Sequence, residues 1–279
     1  MPRATDATAE RSTPQRPECR LPIFPAGNTR AQGPVGPSVT DTTATDISAP
    51  TSSDPIKVDI WSDVQCPWCY IGKRKFEAGA AQFDGAVEVE YHSFELSPDT
   101  PVDFVGNTVD YLSQHKGMPA DQVKQMLANV TEIAASVGLD YDWDSVHQTN
   151  TVISHELLHY AKAHGRQLDM MERLLKAYFI DGRHVGRVED LADLAAEIGL
   201  DRADVVRSLT ANEHLAAVKA DVAQAGAYGI QGVPFFVIDG RYGISGAQDP
   251  TAFAQALDQA RADRSKDAST NTSTGAASA

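Results

Sequence analysis

Cys66 and Cys69 are the residues whose type and spacing most clearly suggest a reaction. Thiol–disulfide exchange needs a cysteine that ionises readily, access for an incoming disulfide, and a second thiol that resolves the mixed disulfide. A helix that begins at Pro67 would place the Cys66 sulfur beside the unsatisfied N–H groups of Trp68 and Cys69 and the positive end of the helix dipole, which favour a thiolate. We therefore predict that Cys66 attacks and that Cys69, one turn further along, resolves.

A zinc site is the alternative interpretation of two cysteines at this spacing. Structural zinc usually has four Cys or His ligands at matched spacing, and the sequence contains no second pair of this kind. The third cysteine, Cys19, lies in a polar segment far from the pair, and the eight histidines form no paired motif. We expect no metal, and we interpret Cys19 as an incidental thiol.

The segments around the cysteine pair predict a strand, a short loop, a helix and a second strand. Apolar and polar residues alternate over Ile56–Trp61 and again over Val87–Phe94, as in half-buried strands. The pattern from Pro67 to about Phe83 is helical, and proline suits a first helical position because its missing N–H would have no partner there. The cysteine pair is therefore expected between the first strand and its helix.

The rest of the chain predicts a long helical segment followed by a hairpin and a last helix. Residues 101–228 have helical periodicity almost throughout, with glycines as helix stops. Val233–Ile238 and Tyr242–Ser245 are predicted strands around an Asp-Gly turn, and Pro250 to about Arg264 is a predicted helix. These elements indicate an α/β fold with a large all-helical insertion.

Composition and charge narrow the classes of protein that this sequence can represent. The chain has 279 residues, 42% of them hydrophobic, and a formal net charge of -14, which disfavours nucleic acid and anionic membranes as partners. Residues 1–55 and 267–279 are polar and lack periodicity, so we predict that both are disordered tails. Without a secretory pattern or a run of ~20 apolar residues, we expect a soluble cytoplasmic protein.

Four stretches together resemble the DsbA-like thioredoxin-fold oxidoreductases, particularly the cytosolic FrnE-type branch. They are Ile56 to Tyr70 with its Cys66-Pro67-Trp68-Cys69, Ser93-Phe94-Glu95-Leu96, Asn150-Thr151 with Ser154-His155, and Gly232-Val233-Pro234-Phe235-Phe236. The resemblance spans about Ile56 to Arg264. It implies a thioredoxin-like fold formed by 56–100 and 229–266, with 101–228 as the helical insertion.

The resemblance also implies a reaction and a set of substrate contacts. The reaction is dithiol–disulfide exchange on protein or small-molecule thiols, with the redox-active disulfide as the only group required and glutathione as a candidate co-substrate. Val233-Pro234 is expected to be a cis peptide beside Cys66, with the Val233 backbone pairing to an extended substrate. Pro67 and Trp68 are the further substrate-binding candidates, Trp68 either as an apolar lip around the sulfur or packed on the insertion. Because typical DsbA sequences have a histidine where this chain has Trp68, a reductase or isomerase direction stays open.

Three further residues are candidates for tuning proton transfer at Cys69. They are Asp63 just before the helix, His92 on the second strand, and His155 in the first turn of a helix that Asn150 could cap. Each also has a structural interpretation, as a loop acid, a half-exposed strand residue and a capping or core histidine respectively. The sequence pattern leaves these alternatives open.

Two other functions compete with thiol–disulfide exchange on this fold. The first is a glutathione-dependent isomerase or transferase similar to the 2-hydroxychromene-2-carboxylate isomerases and kappa-class transferases, which usually have a serine or a single catalytic residue where this chain has Cys66. The second is a chaperone-like binding module that uses the insertion as a cradle. Retention of both cysteines favours the oxidoreductase.

Overall fold

A four-stranded mixed sheet carries the active-site loop at one end of its central strand. The computed structural model describes residues 54–275, with side chains up to residue 269. The strands are β1 (Ile56–Ser62), β2 (Val87–Ser93), β3 (Phe235–Ile238) and β4 (Tyr242–Ser245), in the spatial order β2-β1-β3-β4. β1 pairs parallel with β2 and antiparallel with β3, and β3 pairs antiparallel with β4.

The alternation in β1 separates the two faces of the sheet. Ile56, Val58 and Ile60 are buried in the main core, beneath helices α1 (Pro67–Ala80) and α9 (Pro250–Gly275). The β3–β4 hairpin turns at Asp239 and Gly240, both with positive φ (55° and 64°), as a two-residue Asp-Gly turn requires. The predicted strand–loop–helix–strand order and the hairpin are confirmed.

Between β2 and β3 the chain forms seven helices, which we call the helical insertion. They are α2 (Thr108–Lys116), α3 (Ala120–Ala135), α4 (Val152–Ala163), α5 (Gln167–Phe179), α6 (Val188–Glu197), α7 (Arg202–Thr210) and α8 (Leu215–Ala227). Buried apolar side chains of α3 to α7 belong to the same hydrophobic cluster as those of the sheet and α1, whereas Ala225 of α8 belongs to a second cluster with Trp61 and Val237. The predicted fold class, α/β with a large helical insertion, is confirmed.

α5 also protects the outer edge of the sheet. The Gln167 side chain donates to the Tyr91 carbonyl (2.8 Å) and accepts from the Tyr91 N–H (3.0 Å), so its amide satisfies backbone groups of the edge strand β2.

Within residues 54–275, no helix is long and apolar enough to span a bilayer.

The structure differs from the predicted tails at the C-terminal end. Except for Asp54 and Pro55, the predicted tail 1–55, with Cys19, lies outside the described residues. The prediction of a disordered tail from Asp267 is wrong for 267–275, because α9 continues to Gly275. Buried Arg264 anchors this helix: its Nε donates to Asp239 Oδ1 (2.9 Å) and its Nη1 to the carbonyls of Asp54 and Pro55. Extending a helix from an anchored segment costs far less than nucleating one.

Candidate active site at the start of helix α1

The chain turns from β1 into α1 around Cys66. Cys66 is the N-cap residue, with extended φ and ψ of -89° and 113°, and Pro67 is at the first helical position. The Cys66 N–H donates to the Asp63 carbonyl (3.1 Å), and the Cys69 N–H donates to the Cys66 carbonyl (3.0 Å). These bonds fix both cysteines on one side of the helix start.

Both cysteines are free thiols in hydrogen-bond contact with each other. The Cys66 thiol also donates to the Val233 carbonyl at 3.5 Å. Burial, and then the hydrogen bond and charge of Cys66, raise the pKa of Cys69 well above its ordinary value, against a smaller lowering by the Ser62 hydroxyl and the Asp63 N–H. Cys69 is therefore protonated in the reduced pair.

Two details of the attacking sulfur differ from the sequence prediction. Cys66 is only 4% exposed, whereas attack on a substrate requires an accessible sulfur. Its side chain makes no capping hydrogen bond to the N–H groups of α1 either. The physical reason is the Val233 carbonyl, which accepts a hydrogen bond from the thiol and so holds the sulfur against the loop before β3.

That loop contains the expected cis peptide bond, between Val233 and Pro234. Pro234 packs closely on α1 at Gly72, where an added Cβ would lie 2.8 Å from the Pro234 ring carbon Cγ. Val233 is half-buried and joins a small apolar cluster with Trp61 and Ile230. The loop is thus held directly over the cysteine pair.

The two residues between the cysteines have different surroundings. Trp68 is 38% exposed and points away from the core, as an apolar lip requires. The Pro67 carbonyl accepts a hydrogen bond from the Tyr141 hydroxyl (2.7 Å), which ties the helical insertion to the first turn of α1. Sequence reasoning missed Tyr141, because no local pattern indicates a contact over so many residues.

Asp63 and His155 lie together in the interior, next to the cysteine pair. Both are fully buried, and His155 Nε2 is 3.5 Å from Asp63 Oδ1. The other Asp63 oxygen, Oδ2, accepts from the Leu96 N–H (2.8 Å). Asn150 is not the N-cap of α4 as expected: the N-cap is Thr151, which makes no capping hydrogen bond, and Asn150, one residue earlier, accepts from the Val152 N–H (2.9 Å).

His92 belongs to a different group, which we call the Asp221 cluster: His92, Ser93, His159 and Asp221. Asp221 Oδ1 bonds His92 Nδ1 (3.0 Å), while Oδ2 contacts His159 Nε2 (3.0 Å) and accepts from the Ser93 N–H (2.8 Å). Among its described contacts, His92 touches neither cysteine, so the structure does not bring it together with the thiols. Its second nitrogen, Nε2, bonds Asp59 Oδ1 at 2.8 Å.

The charges in the Asp221 cluster stabilise one another. Burial alone would lower the pKa of His92, but the hydrogen bonds and charges of Asp221 and Asp59 outweigh it and raise that pKa to about 9. Burial alone would raise the pKa of Asp221, but His159, His92 and the Ser93 N–H hold it well below its ordinary value. No local sequence pattern indicates this cluster, because its members come from three elements.

Ligand atoms of Asp59, Glu90 and His92 lie close enough together to hold a metal ion. Ammonium groups already balance these carboxylates, however: Lys57 Nζ is 3.1 Å from Asp59 and 3.3 Å from Glu90, and Lys162 also pairs with Glu90. The group is therefore best described as an ion-pair network.

Known proteins with similar sequences or structures include a probable oxidoreductase and an isomerase. The chain is 40% identical to a probable DsbA oxidoreductase from Streptomyces coelicolor, whose crystal structure superposes with a TM-score of 0.69 over 74% of this chain and 89% of that one. It is 28% identical over 211 residues to the uncharacterized protein YwbO of Bacillus subtilis, covering 72% of this chain and 96% of YwbO. A 2-hydroxychromene-2-carboxylate isomerase, 16% identical, shares the fold with a TM-score of 0.57 over 75% of this chain and 97% of that one.

The family follows from the extent of the match along the sequence. The profile described as "DSBA-like thioredoxin domain" matches residues 57–258, which include the cysteine pair, the helical insertion and the cis-proline loop. The resemblance inferred from the four sequence stretches is thereby confirmed at the level of the family. The chain belongs to the DsbA-like thioredoxin-domain family.

Proposed function

We propose that this protein is a thiol–disulfide oxidoreductase that exchanges electrons through Cys66 and Cys69. The observation that carries the proposal is the pair of free thiols in mutual hydrogen-bond contact at the start of α1, beneath the cis Val233-Pro234 loop. A second sulfur within bonding reach is what disulfide exchange requires.

The reaction would proceed in two displacements. The Cys66 thiol loses its proton, and with it the hydrogen bond to Val233, and the thiolate attacks one sulfur of a substrate disulfide. The substrate S–S bond breaks, its second sulfur leaves as a thiol after taking a proton, and a mixed disulfide remains on Cys66. Cys69 then loses its proton and attacks the Cys66 sulfur, which releases the second substrate thiol and forms the Cys66–Cys69 disulfide. In the reverse direction the same steps oxidise a substrate dithiol.

The proposal also covers the substrate contacts, the substrates and the location of the protein. Val233 would pair through its backbone with an extended substrate, and Pro67 and Trp68 would line its path to the sulfur. Protein thiols or small-molecule thiols such as glutathione would serve as substrate or electron donor. The cytoplasmic location and the FrnE-type branch expected from the sequence are also part of it.

Reduction of insulin disulfides and redox equilibration with glutathione, read by thiol alkylation and mass spectrometry, test the proposal. Cys66→Ser should abolish insulin reduction, and Cys69→Ser should accumulate a mixed disulfide on Cys66. Cys19→Ser is the matched control, because it removes a thiol outside the pair and should leave the rate unchanged. Equal rates for wild type and Cys66→Ser would reject the proposal, and an unchanged chaperone or isomerase activity in both active-site variants would favour the competing functions.

A further inference from the structure

Asp63 and His155 form an unusual buried contact between the active-site loop and the helical insertion. His155 has no exposed surface, and neither ring nitrogen makes a hydrogen bond of normal geometry within residues 54–269. Nε2 lies 3.5 Å from Asp63 Oδ1, which is longer than an ordinary N–H···O hydrogen bond. A buried polar group left without a hydrogen bond destabilises the folded protein. An exception of this kind calls for an explanation beyond stability.

Asp63 connects this contact to both thiols. Its carbonyl accepts from the Cys66 N–H (3.1 Å), and its own N–H contacts the Cys69 sulfur. Its carboxylate holds the loop that follows, by accepting from the Gln65 backbone N–H (3.3 Å) and side-chain amide (3.1 Å), and it accepts from the Leu96 N–H across the site. The position of the Asp63 carboxylate therefore determines the conformation of the loop backbone that faces Cys69.

His155 helps that carboxylate to stay ionised in the interior. Burial raises the pKa of Asp63, but the interactions with His155, the Leu96 N–H and Gln65 outweigh burial and hold this pKa below its ordinary value. Without the imidazole, a larger fraction of Asp63 would be protonated. The carboxyl group would then hold the Leu96 and Gln65 donors more weakly, since hydrogen bonds to a charged acceptor are the stronger ones.

The other titratable groups near these residues are neutral at working pH. Tyr91 and Tyr141 interact electrostatically with Cys69, and Tyr178 with Asp63, and burial raises the pKa of all three. The Asp63 carboxylate, with His155 beside it, is thus the charged group next to the resolving cysteine.

We propose that His155 is a positioning residue for the resolving step. Through Asp63 it fixes residues 63–65, so that the Asp63 N–H faces the Cys69 sulfur while that sulfur attacks the mixed disulfide. The inference rests on the proposed function. It concerns only the second displacement, in which the Cys69 S–H bond breaks, the Cys66–Cys69 bond forms and the substrate thiol leaves. The Asp63 N–H would stabilise the developing thiolate.

Stopped-flow reaction with dithiobis(nitrobenzoate) separates the two displacements when the reduced protein carries Cys19→Ser, which removes the third thiol that would also react. Attack by Cys66 releases one coloured thiolate, and resolution by Cys69 releases a second. In His155→Phe, which removes both nitrogens, we expect the first release within twofold of wild type and the second about tenfold slower at pH 7. Tenfold corresponds to a rise of about one unit in the pKa of Cys69, and because this pKa lies well above pH 7, the ratio of the two second-phase rates should stay constant as both rates rise with pH. His155→Gln, whose amide can donate to Asp63, should recover much of the second rate.

The control is His159→Gln, one turn further along α4, which also removes an imidazole that contacts a carboxylate, Asp221. Both releases should be unchanged in this variant. If His155→Phe does not fold, Asp63→Asn provides the same test, since it keeps the side-chain shape and removes the charge. The double variant should be no slower than the slower single variant, because the two residues act as a unit.

Three results would overturn the inference: a wild-type second release in His155→Phe, an equal slowing of both releases, or no recovery of the second rate in His155→Gln. Failure of the proposed function itself looks different. In that case wild-type protein would release no thiolate in the first phase, or would never release the second one, whatever residue occupies position 155.

Discussion

Two contacts between a histidine and an aspartate join the helical insertion to the sheet region, and they differ in how completely their polar atoms are satisfied. In the Asp221 cluster, His92 has a carboxylate partner on each ring nitrogen, and the ring stacks on Trp61 with centroids 4.5 Å apart. In the Asp63–His155 contact, the imidazole is fully buried and makes no hydrogen bond of normal geometry within residues 54–269.

The difference indicates what each contact does. A network in which every donor meets an acceptor stabilises a single packing arrangement. A contact that is incompletely satisfied and touches the thiol pair costs stability, and such departures from good packing are expected at functional sites. We infer that the Asp221 cluster clamps the insertion in place and that the Asp63–His155 contact serves the chemistry.

The largest expected effect is on the free energy of unfolding, which should fall much more in Asp221→Asn than in the equally isosteric Asp63→Asn. Asp221→Asn removes the charge that three donors share at 2.8–3.0 Å and should lower the free energy of unfolding by about 3 kcal/mol. Asp63→Asn keeps an oxygen for the Leu96 N–H and loses a 3.5 Å contact, so its cost should be about 1 kcal/mol. Urea unfolding of the two variants measures the difference. Equal costs would contradict the comparison, as would impaired thiol kinetics in folded Asp221→Asn.

The pH dependence of stability provides a second test of the clamp. The folded-state pKa of His92 is raised to about 9 from an ordinary 6.5, so its contribution is complete below about pH 6.5 and is lost as pH rises through 9. At about 1.4 kcal/mol per pKa unit, the loss amounts to about 2–3 kcal/mol after allowance for solvent. Urea unfolding between pH 6 and pH 10 should show it in a Cys66→Ser, Cys69→Ser background, where these two thiols do not ionise.

His92→Gln in the same background is the control for that measurement. Glutamine has no charge to lose, so the unfolding free energy of this variant should vary less between pH 6 and pH 10 than that of its parent. Parallel curves for the two proteins would show that another group titrates and that His92 does not supply the clamp.

The two contacts also show where prediction from the sequence stops. The β1–loop–α1 segment and the Asp-Gly hairpin were predictable, because their signals are local: period-two alternation, a proline at a helix start and a turn that needs positive φ. α2 was not assigned as a separate helix from its weak periodicity, although Asn107 and Asp110 form a capping box at its start.

Contacts between distant elements had no such signal. Asp63, His92 and His155 were each candidates on their own, but their partners depend on how the insertion packs on the sheet. His92 and Asp221 are 129 residues apart, and no spacing rule connects them. The nearly complete burial of Cys66 was missed for the same reason, since a carbonyl from the loop before β3 covers its sulfur.

A substitution in the apolar packing beside the thiols should affect both stability and chemistry, unlike one in the clamp. In Gly72→Ala, the new Cβ would lie 2.8 Å from Pro234 Cγ, so the cis-proline loop must shift. Overpacking costs about 1–3 kcal/mol, and the better helix propensity of alanine returns about 1, which leaves a net loss of up to about 2 kcal/mol. Thermal unfolding measures the loss, and insulin reduction should slow because Val233 moves with the loop. Unaltered activity would mean that the Val233 contact with Cys66 is not needed.

The smallest effect is expected at the exposed rim of the ion-pair network beside the clamp. Lys57 and Lys162 pair with Asp59 and Glu90, but their side chains are 46% and 44% exposed, so water and salt screen both pairs. Lys57→Met and Lys162→Met should each change the free energy of unfolding by less than about 1 kcal/mol, and the change should shrink further at high salt. Urea unfolding at low and high ionic strength measures both. A larger, salt-independent loss would show that the lysine pairs, and not the buried Asp221–His92 contact, contribute most of the stability of this region, because only a well-shielded ion pair resists screening.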